Sequence, residues 1–520
     1  MCLFTVTRRQ ATWLYAVVLV VIVLLCNLVP AMSDILSLTL IGAVGVGTCV
    51  AYCRRPHQTT ATTPRVENVP LAAASYPAGD HNESYAAQHQ SEADTQSILA
   101  MGASSVPSAP PRFAYLDNLR ASLTAIVVVH HVLGAFAGGG SVGLSVGNFK
   151  NLLQPLLLAT QLLNQSYFMA LFFFIAGFCS PPSLDRKGPD AFLVDRFKRL
   201  GPPILLYAFL IGPGVSALAD VIASRNRGYQ VSTGPLWFAM WLLIFSAAYA
   251  CIRGDVGGDH LTASRPSFWT LLGAGAALGA AQATQFMFMP VFPMMPITFG
   301  SLPFDVAAFT AGVVARRNGW LDGQVQRGTI IAASVVVAAF TITLVVAFVV
   351  ITAEGGGAYL LSSNACGTSP DRVGGVTQVI GGGIEGILYG LSMAAGAYCV
   401  SISVLLLALF RARFNDDGAW SLFFSRVSFA VYVLHPVVVV PLTAAFIVVV
   451  RAVNGDASMR TWTVGSSPIV DSPDCVAMGG VSNSLVLLIG CTTVSFLSVL
   501  LTYPLADVTR RLPGMKYVLG

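Results

Sequence analysis

The sequence predicts an all-α fold, a polytopic bundle of transmembrane helices. Two observations lead to this class. The chain of 520 residues is 55% hydrophobic and only 10% charged, with a mean hydropathy of +0.71, whereas soluble globular domains carry about 25% charged residues. Apolar runs long enough, or nearly so, to cross a hydrocarbon core of about 30 Å also recur along most of the chain.

The apolar runs predict about twelve spans. Two form an N-terminal hairpin within residues 1–53; a cleaved signal peptide is the alternative, but the first run exceeds the apolar region of about 7–15 residues that such peptides carry. Residues 54–111 are polar and lack an apolar period, which predicts a disordered linker. The ten core spans lie in a membrane domain of residues 112–510, near 119–137, 154–178, 203–222, 235–252, 267–289, 297–315, 329–352, 383–410, 427–449 and 483–505. Residues 511–520 form a tail.

The basic residues predict the orientation. Most of the 29 Lys and Arg residues fall near the N-terminus, in every second turn and in the tail, which places both termini and the linker in the cytoplasm by the positive-inside rule. Because these charges are spread over short loops, the net charge of +5 indicates topology and not nucleic-acid binding. Cys366 and Cys475 then lie in long outer loops, where a disulfide is chemically permitted. The pattern does not distinguish the plasma membrane from an endomembrane.

Arg120 and His131 form the most informative pair, on the first core span. Eleven residues separate them by about 16.5 Å along a helix and bring them to within about 20° of one face, whereas His130 points about 100° away. A histidine near the midplane is costly and marks a functional-site candidate. Asp117 precedes Arg120 by one turn and is placed to pair with it. The alternative is a helix-end ion pair and a histidine that only packs against a neighbouring helix.

Several stretches together resemble the acyltransferase 3 family of integral-membrane O-acyltransferases, nearest the branch that contains glucan-biosynthesis succinyltransferases. The first core helix of that family carries an arginine, ten residues and a histidine, as Arg120 and His131 do here. Further stretches match in the same order over nearly all of residues 112–510: Met169–Phe178, Asp185–Pro189, Arg196–Pro203 with its RxxR pair, Gly234–Phe238 and Phe429–Pro436.

The resemblance implies transfer of an acyl group from cytoplasmic acyl-CoA to a hydroxyl of a carbohydrate or related acceptor. Membrane lipids are then further partners of the protein. Acyl-CoA is then a donor substrate, and no tightly bound cofactor is expected. O-acylation needs a base for the hydroxyl proton, and a neutral histidine commonly serves, so His131 is the predicted base. No Cys/His grouping at metal-ligand spacing occurs, and no metal is expected.

Arg196 and Arg199 are the candidate donor-binding residues. They are three residues apart and share a helix face, and two guanidinium groups suit the phosphates of coenzyme A. The alternative is an ordinary positive-inside signal.

His435 and Glu385 complete the candidate site. His435 reaches a depth similar to that of His131, and Pro436 withholds an N–H, which frees the carbonyl of Tyr432. A second acid/base contact, an acceptor contact and a packing histidine all fit this position. Glu385 opens its span on the outer side, where it is a candidate to bind sugar hydroxyls or orient a histidine, although a carboxylate at a helix N-terminus is favourable in itself.

A multi-span carrier, or a flippase for a polar or lipid-linked substrate, is the alternative function. Histidine and arginine inside a membrane can serve proton coupling in carriers. No internal repeat relates the two halves of the sequence, which counts against a carrier. Gly275 and Gly279, one turn apart in a core span, predict a close helix–helix contact.

Overall fold

The computed structural model describes residues 113–137, 144, 146, 153–223, 228–229, 231, 233–255, 264–288, 302–353, 384–454 and 484–519. These residues are mostly helical and include no strand, which confirms the all-α class. The predicted hairpin of residues 1–53, the linker of residues 54–111, and Cys366 and Cys475 lie outside the described residues.

The helices follow one another in the order that the apolar runs predict. They are α1 (Ala114–Phe136), α2 (Leu153–Gln165), α3 (Phe168–Lys187), α4 (Pro189–Leu206), α5 (Gly212–Ile222), α6 (Trp237–Asp255), α7 (Phe268–Phe288), α8 (Leu302–Arg317), α9 (Arg327–Ala353), α10 (Ile384–Arg413), α11 (Ala419–Asn454), α12 (Ser484–Arg511) and α13 (Met515–Val518). A π-helical stretch, Tyr207–Ile211, joins α4 to α5, and a 3-10 turn, Gly234–Leu236, leads into α6.

Among the described residues, 8 helical stretches are long and apolar enough to cross a membrane: Ala114–Phe136, Leu156–Lys187, Pro189–Ile222, Gly234–Ile252, Arg327–Val349, Tyr389–Arg413, Ala419–Val450 and Ser484–Arg511. Each coincides with a predicted core span. The described parts of the predicted spans near 267–289 and 297–315 are helical too, as α7 and α8. The total of twelve stays a prediction.

The outer surface of α9 shows what surrounds the bundle. The side chains of Ile331, Val335 and Ile342 are 57%, 62% and 63% exposed on this helix. Large apolar side chains exposed in a row along one helix face are costly in water and ordinary against lipid. The protein is therefore an integral membrane protein that crosses the bilayer several times.

Glycines allow pairs of helices to pack backbone to backbone. A Cβ at Gly312 of α8 would lie 2.1 Å from the carbonyl oxygen of Phe174 in α3. A Cβ at Gly279 of α7 would lie 2.0 Å from the carbonyl oxygen of Ser392 in α10, and Gly275 approaches the same helix. The predicted close contact at Gly275 and Gly279 is confirmed, with α10 as the partner.

Polar contacts join the helix ends at one end of the bundle. Arg317, the last residue of α8, forms a two-pronged ion pair with Asp185 of α3, at 2.5 and 2.6 Å. Arg411 of α10 donates to carbonyl oxygens of residues 321–323, in the turn before α9. Arg510 of α12 donates to the carbonyl of Arg426 in α11 at 3.3 Å. We call the end of the bundle that contains these contacts the basic end.

Candidate active site

Two histidines from distant parts of the sequence meet inside the bundle. The ring of His131 on α1 lies against the ring of His435 on α11, with centroids 4.8 Å apart and planes inclined by 33°. His435 is fully buried, whereas His131 is half-buried. The structure thus places two of the predicted site residues in contact, and we call them the histidine pair.

His130 points to a different part of the bundle, as its position on the helix predicts. Its ring packs on Phe168 of α3, with centroids 5.0 Å apart, and it is 8% exposed. The rings of His130 and His131 are almost perpendicular, at 86°, with centroids 5.8 Å apart. Adjacent residues on one helix therefore have different neighbours, and His131 belongs to the pair.

The environment of His435 is set by its own helix. Its Nδ1 lies 2.8 Å from the carbonyl oxygen of Tyr432. The other ring nitrogen, Nε2, is buried and has no hydrogen-bond partner among the described residues. Pro436 follows inside α11 and has no N–H to give to that carbonyl.

The turn before α6 holds this part of α11 in place. Gly234 has φ +46°, a left-handed conformation that favours glycine, and a Cβ there would lie 2.5 Å from the ring of Tyr207. The hydroxyl of Tyr432 donates to the carbonyl of Pro235, and Phe238 packs edge-on against the ring of Tyr432, with centroids 6.0 Å apart. Two stretches that carry the family resemblance therefore contact each other directly, beside His435.

Arg120 lies below the histidine pair, toward the basic end. Its guanidinium pairs with Asp117 at 3.1 Å, as the spacing predicts. The same nitrogen lies 3.5 Å from Ser425 Oγ on α11. Helices α1 and α11 therefore share a polar contact near Arg120 and an aromatic contact at the histidine pair.

Arg196 and Arg199 have different contacts in the structure. Arg199 has a 66% exposed side chain and pairs with Asp195 of its own helix at 3.3 Å. Arg196 turns inward: it donates to Ser180 Oγ at 3.2 Å and lies over the ring of Phe192 at 5.0 Å. Its Nε is buried without a hydrogen-bond partner among the described residues. The two guanidinium groups therefore have different surroundings, and their binding of the donor phosphates stays a prediction.

A thiol that the sequence did not single out as functional lies among the charges near Arg120. Cys179 of α3 interacts electrostatically with Asp117, Arg120, Arg196 and Arg316. Its side chain is exposed, whereas the flanking residues of α3 are buried. Charged side chains from several helices therefore lie around this thiol, and we call Arg120, Arg196 and Arg316 the arginine cluster.

A family model described as an acyltransferase domain, that of the acyltransferase 3 family, matches residues 113–503. The match covers most of the chain and includes the histidine pair and the arginine cluster. The chain belongs to the acyltransferase 3 family. No curated protein and no solved structure matches it significantly. Family membership and the apolar helices together identify a multi-pass membrane acyltransferase.

Arg316 of this acyltransferase is a site candidate that sequence reasoning missed. Its position in the Arg316–Arg317 run predicts only a positive-inside signal. In the structure, the two arginines diverge: Arg317 pairs with Asp185, whereas Arg316 lies over the rings of Phe113 and Phe178, at 4.9 and 5.2 Å. The arrangement depends on the packing of α8 against α3, which no local pattern contains.

The predicted role of Glu385 and the expectation about a metal are the remaining points on the acyltransferase site. Glu385 belongs to α10, but its side chain lies outside the described residues, so its role stays a prediction. No group of three or more His, Cys, Asp or Glu side chains that could hold a metal occurs within the part of the chain that the structure describes.

Proposed function

We propose that this acyltransferase moves an acyl group from cytoplasmic acyl-CoA to a hydroxyl of a carbohydrate or related acceptor. One observation carries the proposal: the histidine pair joins α1 and α11, and Arg120, which lies on α1 toward the basic end and contacts α11, belongs to the arginine cluster around Cys179. Acyl transfer from a coenzyme A thioester needs both elements, a base at the reacting carbonyl and cations for the phosphates.

The separation of the two elements suits the donor. Arg120 and His131 lie about 16.5 Å apart along α1. Coenzyme A carries its thioester at the end of a long, flexible arm, remote from its phosphates. A donor whose phosphates bind the arginine cluster would extend this arm along α1 and bring its thioester near the histidine pair.

The histidine pair suits the uptake of a single proton. Two protonated imidazoles with centroids 4.8 Å apart would repel each other by about 3.5 kcal/mol at an effective dielectric constant of about 20. One ring can therefore take the proton of the attacking hydroxyl while the other stays neutral. A neutral imidazole also carries an N–H, which can stabilise the oxyanion of the tetrahedral intermediate.

The proposed orientation places the basic end in the cytoplasm, where acyl-CoA is found. The positive-inside rule supports this, because the basic end contains Arg186, Lys187, Arg316, Arg317, Arg411, Arg413, Arg510 and Arg511. The carbohydrate acceptor is inferred from the resemblance of the sequence motifs alone. The outer end of α10, with Glu385, is then the side from which acceptor hydroxyls arrive.

A labelling experiment with the purified chain tests the proposal. The full-length protein in lipid nanodiscs is incubated with acetyl-CoA, succinyl-CoA and a long-chain acyl-CoA, each labelled in the acyl group, with and without a membrane glycan extract. We expect release of the coenzyme A thiol and transfer of label to the glycan fraction, with slow hydrolysis when the extract is omitted. A carrier would do neither, and failure with every donor would contradict dependence on acyl-CoA.

A further inference from the structure

We propose that His435 takes the proton from the acceptor hydroxyl. The proton binds the lone pair on Nε2, whose position on the ring is fixed by a contact between His435 and its own helix. The proposal rests on the proposed function and makes it more specific. It assigns to His435 the role that the sequence predicts for His131.

Pro436 leaves one backbone carbonyl of α11 without its helical donor. In an α-helix, the carbonyl of residue i accepts from the N–H of residue i+4. The residue four places after Tyr432 is Pro436, which has no N–H. A buried carbonyl without a donor is costly, and the neighbouring ring of His435 meets this need, with Nδ1 2.8 Å from the oxygen.

This contact decides the tautomer of His435. A carbonyl oxygen only accepts hydrogen bonds, so Nδ1 must carry the proton. In a neutral imidazole, one ring nitrogen carries a proton and the other holds a lone pair. The lone pair of His435 is therefore on Nε2.

The lone pair on Nε2 is buried but unused. Nε2 accepts no hydrogen bond within the described part of the chain, although buried polar atoms are normally paired. The ring of His131, which is half-buried, covers one side of His435. Nε2 of His435 therefore has a lone pair that no described residue uses, and His131 beside it is partly accessible. These two features suit a base that takes a proton from an incoming hydroxyl.

In the proposed reaction, His435 takes one proton from the acceptor and gives it to the leaving thiolate. The acceptor oxygen attacks the thioester carbonyl as its proton passes to Nε2 of His435, which becomes imidazolium. The tetrahedral intermediate then collapses, the carbon–sulfur bond breaks, and the ester forms. The coenzyme A sulfur leaves as a thiolate and takes up the proton from Nε2, which restores neutral His435. His131 then provides an N–H for the oxyanion.

The tautomer is measured first, without reference to activity. The full-length protein is labelled with ¹³C and ¹⁵N histidine, reconstituted in lipid and studied by solid-state NMR. The His435 signals are identified by their loss in His435→Asn. We expect a neutral ring with the proton on Nδ1. A neutral ring with the proton on Nε2 would overturn the proposal even if the protein transfers acyl groups.

Two variants then test the consequence for the reaction. Asparagine at position 435 keeps an N–H donor near the Tyr432 carbonyl but lacks the Nε2 base, so His435→Asn should lower kcat by about 100-fold or more, with KM for acyl-CoA within about threefold of wild type. A wild-type kcat in this variant would overturn the proposal. If the wild-type protein transfers no acyl group, the proposed function fails instead, whatever the tautomer.

Pro436→Ala changes neither histidine but returns an N–H to the Tyr432 carbonyl. We expect the His435 signals to show a mixture of both neutral tautomers, and kcat to fall by about tenfold. Pro441→Ala is the matched control, because Pro441 is exposed on the same helix and lies six residues, nearly two turns, beyond the histidine. An unchanged tautomer and kcat in Pro436→Ala would contradict the role of the freed carbonyl. If this variant does not fold, the wild-type tautomer and His435→Asn still decide the proposal.

Discussion

At the scale of single residues, the proposed roles depend on the direction in which each side chain points. His130 and His131 are neighbours on α1, yet one packs on Phe168 and the other on His435. Arg196 and Arg199 are one turn apart on α4, yet Arg196 contacts Ser180 near Cys179 whereas Arg199 pairs with Asp195. Each case offers a pair of matched substitutions.

His131→Ala is expected to lower kcat by about 100-fold or more, because it removes the ring that lies against His435 and an N–H placed near the reacting carbonyl. His130→Ala should change kcat by less than about fivefold, since this ring packs elsewhere. The measurement is the initial rate of coenzyme A release by each purified variant. Thermal unfolding serves as the control for folding. Equal, complete loss in two well-folded variants would refute the division between the helix faces.

Arg196→Gln is expected to raise KM for acyl-CoA by about tenfold to one hundredfold. The substitution removes the proposed charge-assisted bond to a phosphate of the donor, which is worth about 1.5–3 kcal/mol. Arg199→Gln should raise it by less than about threefold, since its side chain is exposed and already paired. Initial rates over a range of acyl-CoA concentrations give both values. If the larger effect belongs to Arg199, the donor phosphates bind outside the arginine cluster.

At the scale of helices, the period and length of apolar runs predicted the order of the elements, and packing set the rest. The run near 154–178 forms α2 and α3 with a break at residues 166–167, and α3 continues to Lys187 in spite of Pro181 and Pro182. The chain then turns sharply at Gly188, which has φ +75°, and the next helix, α4, begins at Pro189. The sequence does not show whether charged residues lie at a helix end or in a loop, because they are solvated in both places.

The sequence could predict His131 and His435 individually, but not their contact. Their similar depth follows from helix rise, since each can be counted from an arginine at the membrane surface. Which helices are neighbours is a property of the whole bundle, so the pairing of α1 with α11 was not available from spacing. The diverging contacts of Arg196 and Arg199 were missed for the same reason.

Gly312→Ala is expected to lower thermal stability, because the added Cβ would lie 2.1 Å from the carbonyl oxygen of Phe174. Overpacking of this kind costs about 1–3 kcal/mol. Gly273→Ala is the control: Gly273 also lies within a helix, and a Cβ there meets nothing within 4 Å, so it should be neutral or slightly stabilising. Thermal unfolding in one detergent compares the two. A melting temperature in Gly312→Ala equal to that of wild type would show that α3 and α8 do not pack this closely.

At the scale of the whole molecule, orientation decides whether the proposed donor site meets its substrate. The basic end contains the arginine cluster and the ion pair of Asp185 with Arg317, and the positive-inside rule predicts that this end faces the cytoplasm. The same orientation predicts that Cys366 and Cys475 lie outside. These two cysteines report on topology independently of any activity.

An impermeant thiol reagent, applied to intact cells after reduction, is expected to label Cys366 and Cys475. Cys53, beside the linker, should be labelled only after the membrane is permeabilised. Single-cysteine variants assign each signal. Labelling of Cys53 alone in intact cells would reverse the orientation and place the arginine cluster away from acyl-CoA.

The most direct test of the account is acyl transfer by a chain that lacks both rings of the histidine pair. The double variant His131→Ala with His435→Asn is reconstituted beside the wild type, and each is given labelled acyl-CoA and the glycan extract. We predict that the variant binds acyl-CoA with an affinity within about threefold of wild type, because the arginine cluster is intact, and that it transfers no label. Transfer of label at the wild-type rate by the double variant would contradict the account.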